Sequence, residues 1–401
     1  MPEILGTTAP GFEALKPAFA EGQANDPGGA QLSIYRHGKQ VVDLWTAERG
    51  DGTGPYTGDT PTVLMSCTKG LTVTCVLRLH ERGVIDIDAP MARYWPEFAA
   101  GGKQAITIVQ VLSHTCGLAA FDPDDAPDLA GALDWEGSVA RLAAMTPLWP
   151  PGAACAYHAA TLGVLLGELV RRVTGKSVGA MIAEEIAGPL GVDLWLGLPK
   201  AEEDRVAHHF RVGQGLGADA FANIFAAMGV DLNDRYIRAT LTSFRKVEAL
   251  IDAMNTPALH AVEVPAGNAI GSARALSKVY AALIGEVDGV RLLSPETIAR
   301  ARVSITDHLG QPEPMRALTM WPRSRYGLGY NAPSNMHPML GEGSFGHYGA
   351  GGRAAYAVPD KGLAVAYVCN SLMSEGPNGD PRWAPWTRAL EQAVMQAKHG
   401  G

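Results

Sequence analysis

Basic clusters, long apolar runs and paired cysteines are scarce in this chain, and each shortage removes a class of function. Its 401 residues carry 33 Lys and Arg against 41 Asp and Glu, a net charge of −8. Without a cluster of Lys and Arg it lacks the basic face that a nucleic-acid partner requires. No stretch approaches the roughly 18 uninterrupted apolar residues of a membrane span. Residues 1–23 hold Glu3, no basic start and no apolar core, so they do not read as an export signal, and a cytoplasmic location is expected. The cysteines (Cys67, Cys75, Cys116, Cys155, Cys369) are odd in number and scattered, which suits reduced thiols better than a disulfide framework. They show neither CxxC nor metal-ligand spacing, so no metal or other cofactor is expected. Nothing specifies an oligomeric state.

Charged residues make up 18% of the chain and hydrophobic ones 47%, enough to build a sizeable core and to exclude general disorder. The length suits roughly two to three domains, or one domain with a large insertion. Residues 11–22 read as a helix with Phe12, Leu15 and Phe19 on one stripe. Gln31 to Tyr35 and Val41 to Trp45 read as strands joined through His37-Gly38-Lys39. From Asp86 to about Pro265 helical patterns dominate: Thr107 to Cys116, Thr161 to Thr174, and Val178 to Ile186. The stretch from Phe210 to His260 carries no clear pattern. Beyond it come a helix capped by Ser272, strands at Gly343–Tyr348, Ala354–Val358 and Leu363–Cys369, and a last helix over about Ala384 to Lys398. The expected fold class is α/β (α+β): an antiparallel sheet built from both termini and flanked by helices, residues 1–85 and 266–401, with a mostly helical domain, residues 86–265, inserted.

The chemistry centres on Met65-Ser66-Cys67-Thr68-Lys69-Gly70. This stretch opens a segment whose apolar residues (Leu71, Val73, Val76, Leu77, Leu79) recur at helical spacing up to Gly83. With Ser66 at the helix start, Lys69 lies one turn along on the same face. A hydroxyl and an amine then sit together where the helix dipole favours developing negative charge. Ser-x-x-Lys alone is weak evidence, because chance supplies about one match in a chain this long. A second copy, Ser243-Phe244-Arg245-Lys246, lies in Thr242 to Met254, where Arg245, Lys246 and Glu248 read as the solvated face of an amphipathic helix. The first copy differs in its apolar flanks, which bury the amine and lower its pKa. Cys67 points away from the serine's face and reads as a packed small hydrophobe.

An acylatable serine also needs a proton relay and donors for the oxyanion. Trp149-Pro150-Pro151-Gly152 leads to Tyr157 in a loop fixed at both ends, and a phenol beside a lysine can share its proton. Phe345-Gly346-His347-Tyr348-Gly349-Ala350-Gly351-Gly352 is a glycine-rich strand whose backbone can approach a substrate closely.

These three segments, in this order, resemble the serine β-lactamase/penicillin-binding-protein superfamily, and more narrowly its esterase branch, the family VIII carboxylesterases. Leu112-Ser113-His114-Thr115-Cys116-Gly117-Leu118 is similar to a segment common among these hydrolases. The resemblance spans about Gln31 to Asn370. It implies that Ser66 is the nucleophile, Lys69 its partner, and Tyr157 the general base or relay. His347, Tyr348 and Gly349 would take the Lys-Thr-Gly strand position for substrate binding, and the N–H groups of Ser66 and Ala350 would form the oxyanion hole. The implied partner is a small-molecule ester, cleaved through an acyl-enzyme with a short acyl chain. Two departures point away from β-lactams: Ala159 replaces the Asn of Tyr-x-Asn, and neutral His347 replaces the cationic lysine. Alternatives are an acyltransferase using the same acyl-enzyme, a weak β-lactamase or amide hydrolase, and a non-catalytic binding relative.

Other patterns carry less. Gly341-x-Gly343-x-x-Gly346 runs into a strand rather than a helix, so it does not read as a dinucleotide fingerprint. His208-His209 lack a third ligand. His114 has no Gly-x-Ser-x-Gly elbow to partner it and reads as a buried residue holding a helix end. Trp149 and Trp195 read as packing residues.

Overall fold

Leu363–Cys369 alternates large and small apolar residues, and it lies at the centre of the sheet in the computed structural model, which describes residues 1–50, 54–213, 217–317, 324–373 and 379–399. Among these residues an eight-stranded sheet comprises β1 (Ile4–Thr8), β2 (Ala30–Arg36), β3 (Lys39–Thr46), β4 (Arg325–Tyr326), β5 (Asn331–Ala332), β6 (Phe345–Gly349), β7 (Arg353–Val358) and β8 (Leu363–Cys369). Its order is β1-β3-β2-β8-β7-β6-β5-β4, antiparallel throughout. Strands from the two ends of the chain meet at β2 and β8, where Ile34 faces Val365. The principal helices are α1 (Leu15–Gly22), α2 (Cys67–Glu81), α3 (Ile108–Leu112), α4 (Thr161–Thr174), α5 (Ala218–Ala227), α6 (Arg235–Ala253), α7 (Ala273–Ile284) and α8 (Trp383–His399). No helix among the described residues is long and apolar enough to cross a membrane.

Every residue of β8 is buried because both faces of the sheet are covered. Leu363, Val365 and Tyr367 pack with Phe19 of α1 and with Trp386 and Leu390 of α8. On the other face Ala364 and Ala366 meet Leu276 and Val279 of α7 in the larger core. The small alanines let that helix lie close to the strand, while the large residues fill the space on the opposite side. Burying each large apolar side chain contributes about 1.5–3 kcal/mol.

Helix α2 is the hub of the larger core. Twelve of its fifteen residues are buried, Thr68, Lys69, Thr72 and Thr74 among them, so burial extends beyond the apolar stripe of Leu71, Val73, Val76, Leu77 and Leu79. Its buried threonines are satisfied by carbonyls: Thr74 Oγ1 donates to Gly70 O and Thr72 Oγ1 to Pro265 O, both at 2.7 Å. A three-stranded sheet ties the chain just before α2 to its surroundings. In it Thr62–Val63 pairs with Ile270–Gly271, which pairs with Leu194–Trp195.

Several boundaries differ from the periodicity. The helix expected over Thr107–Cys116 is only Ile108–Leu112, begun by a capping box between Thr107 and Gln110. It stops because His114 turns to φ +61°. Val178–Ile182 runs into a wider π turn, Ala183–Ala187, rather than one continuous helix. Strand β1 escaped the sequence reading because Gly6, at φ +99°, interrupts its pattern. The patternless stretch becomes α5 and α6, whose apolar residues face a cavity as well as a core. The glycine-rich strand is β6, sixth in the sheet, with only the two-residue strands β5 and β4 beyond it.

Candidate active site

Ser66 stands at the head of α2, and its hydroxyl does not cap the helix. The residue before it, Met65, is held at φ +49°, a left-handed backbone that a non-glycine residue adopts only under restraint. The restraint is visible. Leu64 N–H donates to Ala269 O at 2.8 Å, Thr68 Oγ1 donates to Met65 O at 2.7 Å, and Ala269 N–H donates to Thr68 Oγ1 at 3.0 Å.

Lys69 is fully buried. Its Nζ donates to Ser66 Oγ at 3.1 Å and to Ala266 O at 2.8 Å, and among the described residues it forms no ion pair. Burial lowers its amine to about 7. The loop that carries Ala266 is organised by buried Asn268. Its Oδ1 accepts from Val264 N–H, and its Nδ2 donates to Leu259 O and Val262 O, each at 2.8 Å.

Tyr157, which precedes α4, presents its ring 4.9 Å from Lys69 Nζ and stacks on Tyr326 at an interplanar angle of 2°. Tyr157 as a residue is 37% exposed and lines a cavity rather than being sealed in the core. His347 lies 6.2 Å from it between ring centroids. The His347 Nδ1 faces Tyr348 O at 2.7 Å, and since a carbonyl only accepts, Nδ1 carries the hydrogen. Burial, with Lys69 nearby, lowers this imidazole to about 3, so the ring is neutral at pH 7 and Nε2 is a bare acceptor with no hydrogen-bond partner among the described residues.

The turn that follows β6 is held from behind. Arg353 Nη1 donates to Ala350 O at 3.0 Å, Arg382 Nη2 to Gly351 O at 2.6 Å, and Trp383 Nε1 to Gly352 O at 2.9 Å. Arg382 is itself paired with buried Asp26 and Asp380. Three consecutive carbonyls are thereby drawn into the protein. Gly349 lets this turn approach the serine, because a Cβ there would meet Leu64 O at 2.6 Å.

Ser66, Tyr157, His347, Tyr348, Gly349 and Ala350 line one cavity of about 640 Å³, so the structure brings the residues of three distant segments together around Ser66 and Lys69. The second Ser-x-x-Lys is elsewhere. Ser243 lines a side lobe and Lys246 an adjoining cleft; Lys246 is half-buried rather than fully solvated, whereas Arg245 is exposed and pairs with Asp219. Trp149 packs, donating from Nε1 to Ala154 O at 3.1 Å and meeting Tyr236 edge-on. His209 is buried against Ile251 O, and Cys67 Sγ lies 3.4 Å from His347 O. Among the described residues no cluster of three or more His, Cys, Asp or Glu could hold a metal ion.

Sequence reasoning missed three contributors: the Ala266 carbonyl on Lys69, the hydrogen bonds of His114 to the chain on both sides of Tyr157, and the buried arginines behind the Ala350 turn. A backbone carbonyl leaves no sequence signal. The arginines could have been suspected only from charges standing in otherwise apolar segments.

A family model described as Beta-lactamase matches residues 16–385. The chain is 34% identical over 382 residues to the "Esterase/beta-lactamase LipL" of Mycobacterium tuberculosis, covering 92% of this chain and 84% of that protein. Among solved structures it is similar to a penicillin-binding protein homolog from Caulobacter crescentus (34% identity, 98% and 99% of the two chains, TM-score 0.79). It is also similar to a family VIII carboxylesterase (32% identity, 98% and 100%, TM-score 0.77).

Proposed function

The chain belongs to the beta-lactamase family, and from that premise we propose that it is a serine carboxylesterase of the family VIII type, cleaving esters of short acyl chains through an acyl-enzyme on Ser66. The observation that carries this reading is the hydrogen bond between Ser66 Oγ and a fully buried lysine whose amine is lowered to about 7. An amine of that basicity is substantially neutral at physiological pH, which is what a general base requires.

In the proposed reaction Ser66 Oγ bonds to the ester carbonyl carbon as its proton passes to Lys69. The carbonyl π pair moves onto oxygen, which receives the N–H groups of Ser66 and Ala350. Collapse re-forms the carbonyl and breaks the bond to the alcohol. The departing alkoxide takes its proton from Tyr157, which is replenished from Lys69. Water then attacks the acyl-enzyme by the same proton route, releasing the acid and restoring Ser66. The neutral His347 acceptor supports an ester without a carboxylate over a β-lactam, whose carboxylate a cation would otherwise receive.

Intact-mass analysis after incubation with p-nitrophenyl butyrate tests the reading. A butyryl adduct on Ser66 is expected, and Ser66→Ala is expected to show neither adduct nor turnover. Full activity in Ser66→Ala would rule the reading out, and nitrocefin turnover rivalling that of simple esters would move the substrate class to β-lactams.

A further inference from the structure

Resting on that reading and adding a substrate class to it, we infer that the ester carries its bulk on the alcohol side: a short acyl group joined to an uncharged, apolar alcohol of ring size or larger, seated against α5 and α6.

Volume comes first. Pockets of roughly 300–1,000 Å³ hold drug-sized ligands, and the cavity at Ser66 measures about 640 Å³. A short acyl group with a small alcohol would leave most of it empty, and its apolar wall would then contribute nothing to binding. That wall comprises Phe221 of α5 with Phe244, Val247, Leu250 and Ile251 of α6.

Position follows from the proton route. The alkoxide that leaves takes its proton from Tyr157, so the alcohol half lies on the Tyr157 side of the serine. The α6 wall is on that side. Phe244 lines both the main cavity and a second lobe of about 130 Å³, and Tyr157 and Ala159 line both spaces too. Val247 and Leu250 likewise border the main cavity and the small cleft beside Ala160. The chain just after Tyr157 and the inner face of α6 therefore enclose one space. Thr240, Ser243 and Gln311 line the second lobe, so a neutral hydroxyl or ether at the far end of the alcohol would find partners there. This gives the second Ser-x-x-Lys a place on the cavity system without a catalytic part.

Charge is the third element. Among the described residues lining the main cavity there is no Asp, Glu, Lys or Arg. The polar group standing where the resemblance expects a lysine is His347, whose Nδ1–H is committed to Tyr348 O and whose unpartnered Nε2 offers a lone pair. A substrate carboxylate would be stripped of water and face that lone pair, with no cation among the described lining residues to receive it.

The test uses acetates of ethanol, cyclohexylmethanol and adamantylmethanol, whose alkoxides leave with similar basicity, assayed by acetate release. In the wild type kcat/KM is expected to rise by about tenfold from ethyl to cyclohexylmethyl and again with adamantylmethyl. Acetate of 4-carboxycyclohexylmethanol is expected to fall about a hundredfold below its neutral parent. Val247→Asp is expected to collapse the adamantylmethyl-to-ethyl ratio. Phe244→Ala, which buries no charge, should lower the same ratio if the aspartate variant fails to fold. A flat or falling series, or equal turnover of the carboxylate ester, overturns the inference while an acetyl adduct on Ser66 from p-nitrophenyl acetate leaves the esterase reading intact. Absence of both adduct and acetate release for every ester overturns that reading, and this inference with it.

Discussion

The imidazole Nδ1 of His114 accepts the backbone N–H of His158 at 3.0 Å, and the backbone carbonyl of the same His114 accepts the N–H of Ala156 at 3.2 Å. Tyr157 is the residue between these two donors, so one residue clamps the chain on both sides of the phenol. His114 adopts φ +61° to do so, a left-handed backbone held in place by this pair of hydrogen bonds. Because Nδ1 accepts, the ring hydrogen is on Nε2. Burial, reinforced by neighbouring His158, His347 and Lys69, keeps the imidazole well below its ordinary pKa and therefore neutral.

His114→Leu is expected to lower kcat by about a hundredfold with a smaller change in KM, since displacing a catalytic group by about 1 Å costs that much. His114→Asn should recover part of the loss, because asparagine tolerates the left-handed backbone and keeps an oxygen acceptor. Steady-state kinetics on p-nitrophenyl butyrate, with circular dichroism to confirm folding, checks both. A loss in both variants that lies mainly in KM would contradict the clamp.

Activity should follow the ionisation of Lys69. Its amine is lowered to about 7 by burial, and only the neutral form accepts the serine's proton. Below that pH kcat/KM should therefore fall about tenfold per unit, and above it level off. Lys69→Arg, which stays protonated, should lose the rise altogether and most of the rate. A pH–rate profile of both proteins decides this.

The same burial has a cost in stability. Unfolded, the lysine holds its proton up to about pH 10.4, whereas folded it releases it near 7, so between those values the unfolded chain binds more protons and stability rises with pH. The penalty is greatest below pH 7 and fades as pH approaches 10. Lys69→Met should thus be inactive yet more resistant to urea, by several kcal/mol at pH 6 at about 1.4 kcal/mol per pKa unit, with the advantage shrinking toward pH 10. Urea titrations at the two pH values read the difference.

Behind the Ala350 turn, Arg382→Leu would leave Asp26 and Asp380 buried without their cation, and should destabilise the protein by about 3–5 kcal/mol. Trp383→Phe removes the donor to Gly352 O and part of a buried ring packed on Tyr348, so it should cost more than the roughly 1 kcal/mol of the hydrogen bond alone, with a fall in kcat larger than any rise in KM if the turn orients the oxyanion donors. Denaturation and kinetics on the two variants separate the structural from the catalytic share.

Much of this was legible in the chain because the signals are local. Ser66 and Lys69 meet because three residues make nearly one helical turn, and apolar residues recurring at helical spacing mark a face that has to be buried. The alternation in Leu363–Cys369 and the caps at Ser272 and Gly175 likewise depend on neighbours in sequence. Tertiary structure decided the rest. Whether Tyr157 reaches Lys69, which carbonyl meets the amine, which tautomer His347 adopts and how α5 and α6 wall the cavity all depend on contacts between segments tens to hundreds of residues apart. Such contacts are set by packing, and packing leaves no period in the sequence from which to read them.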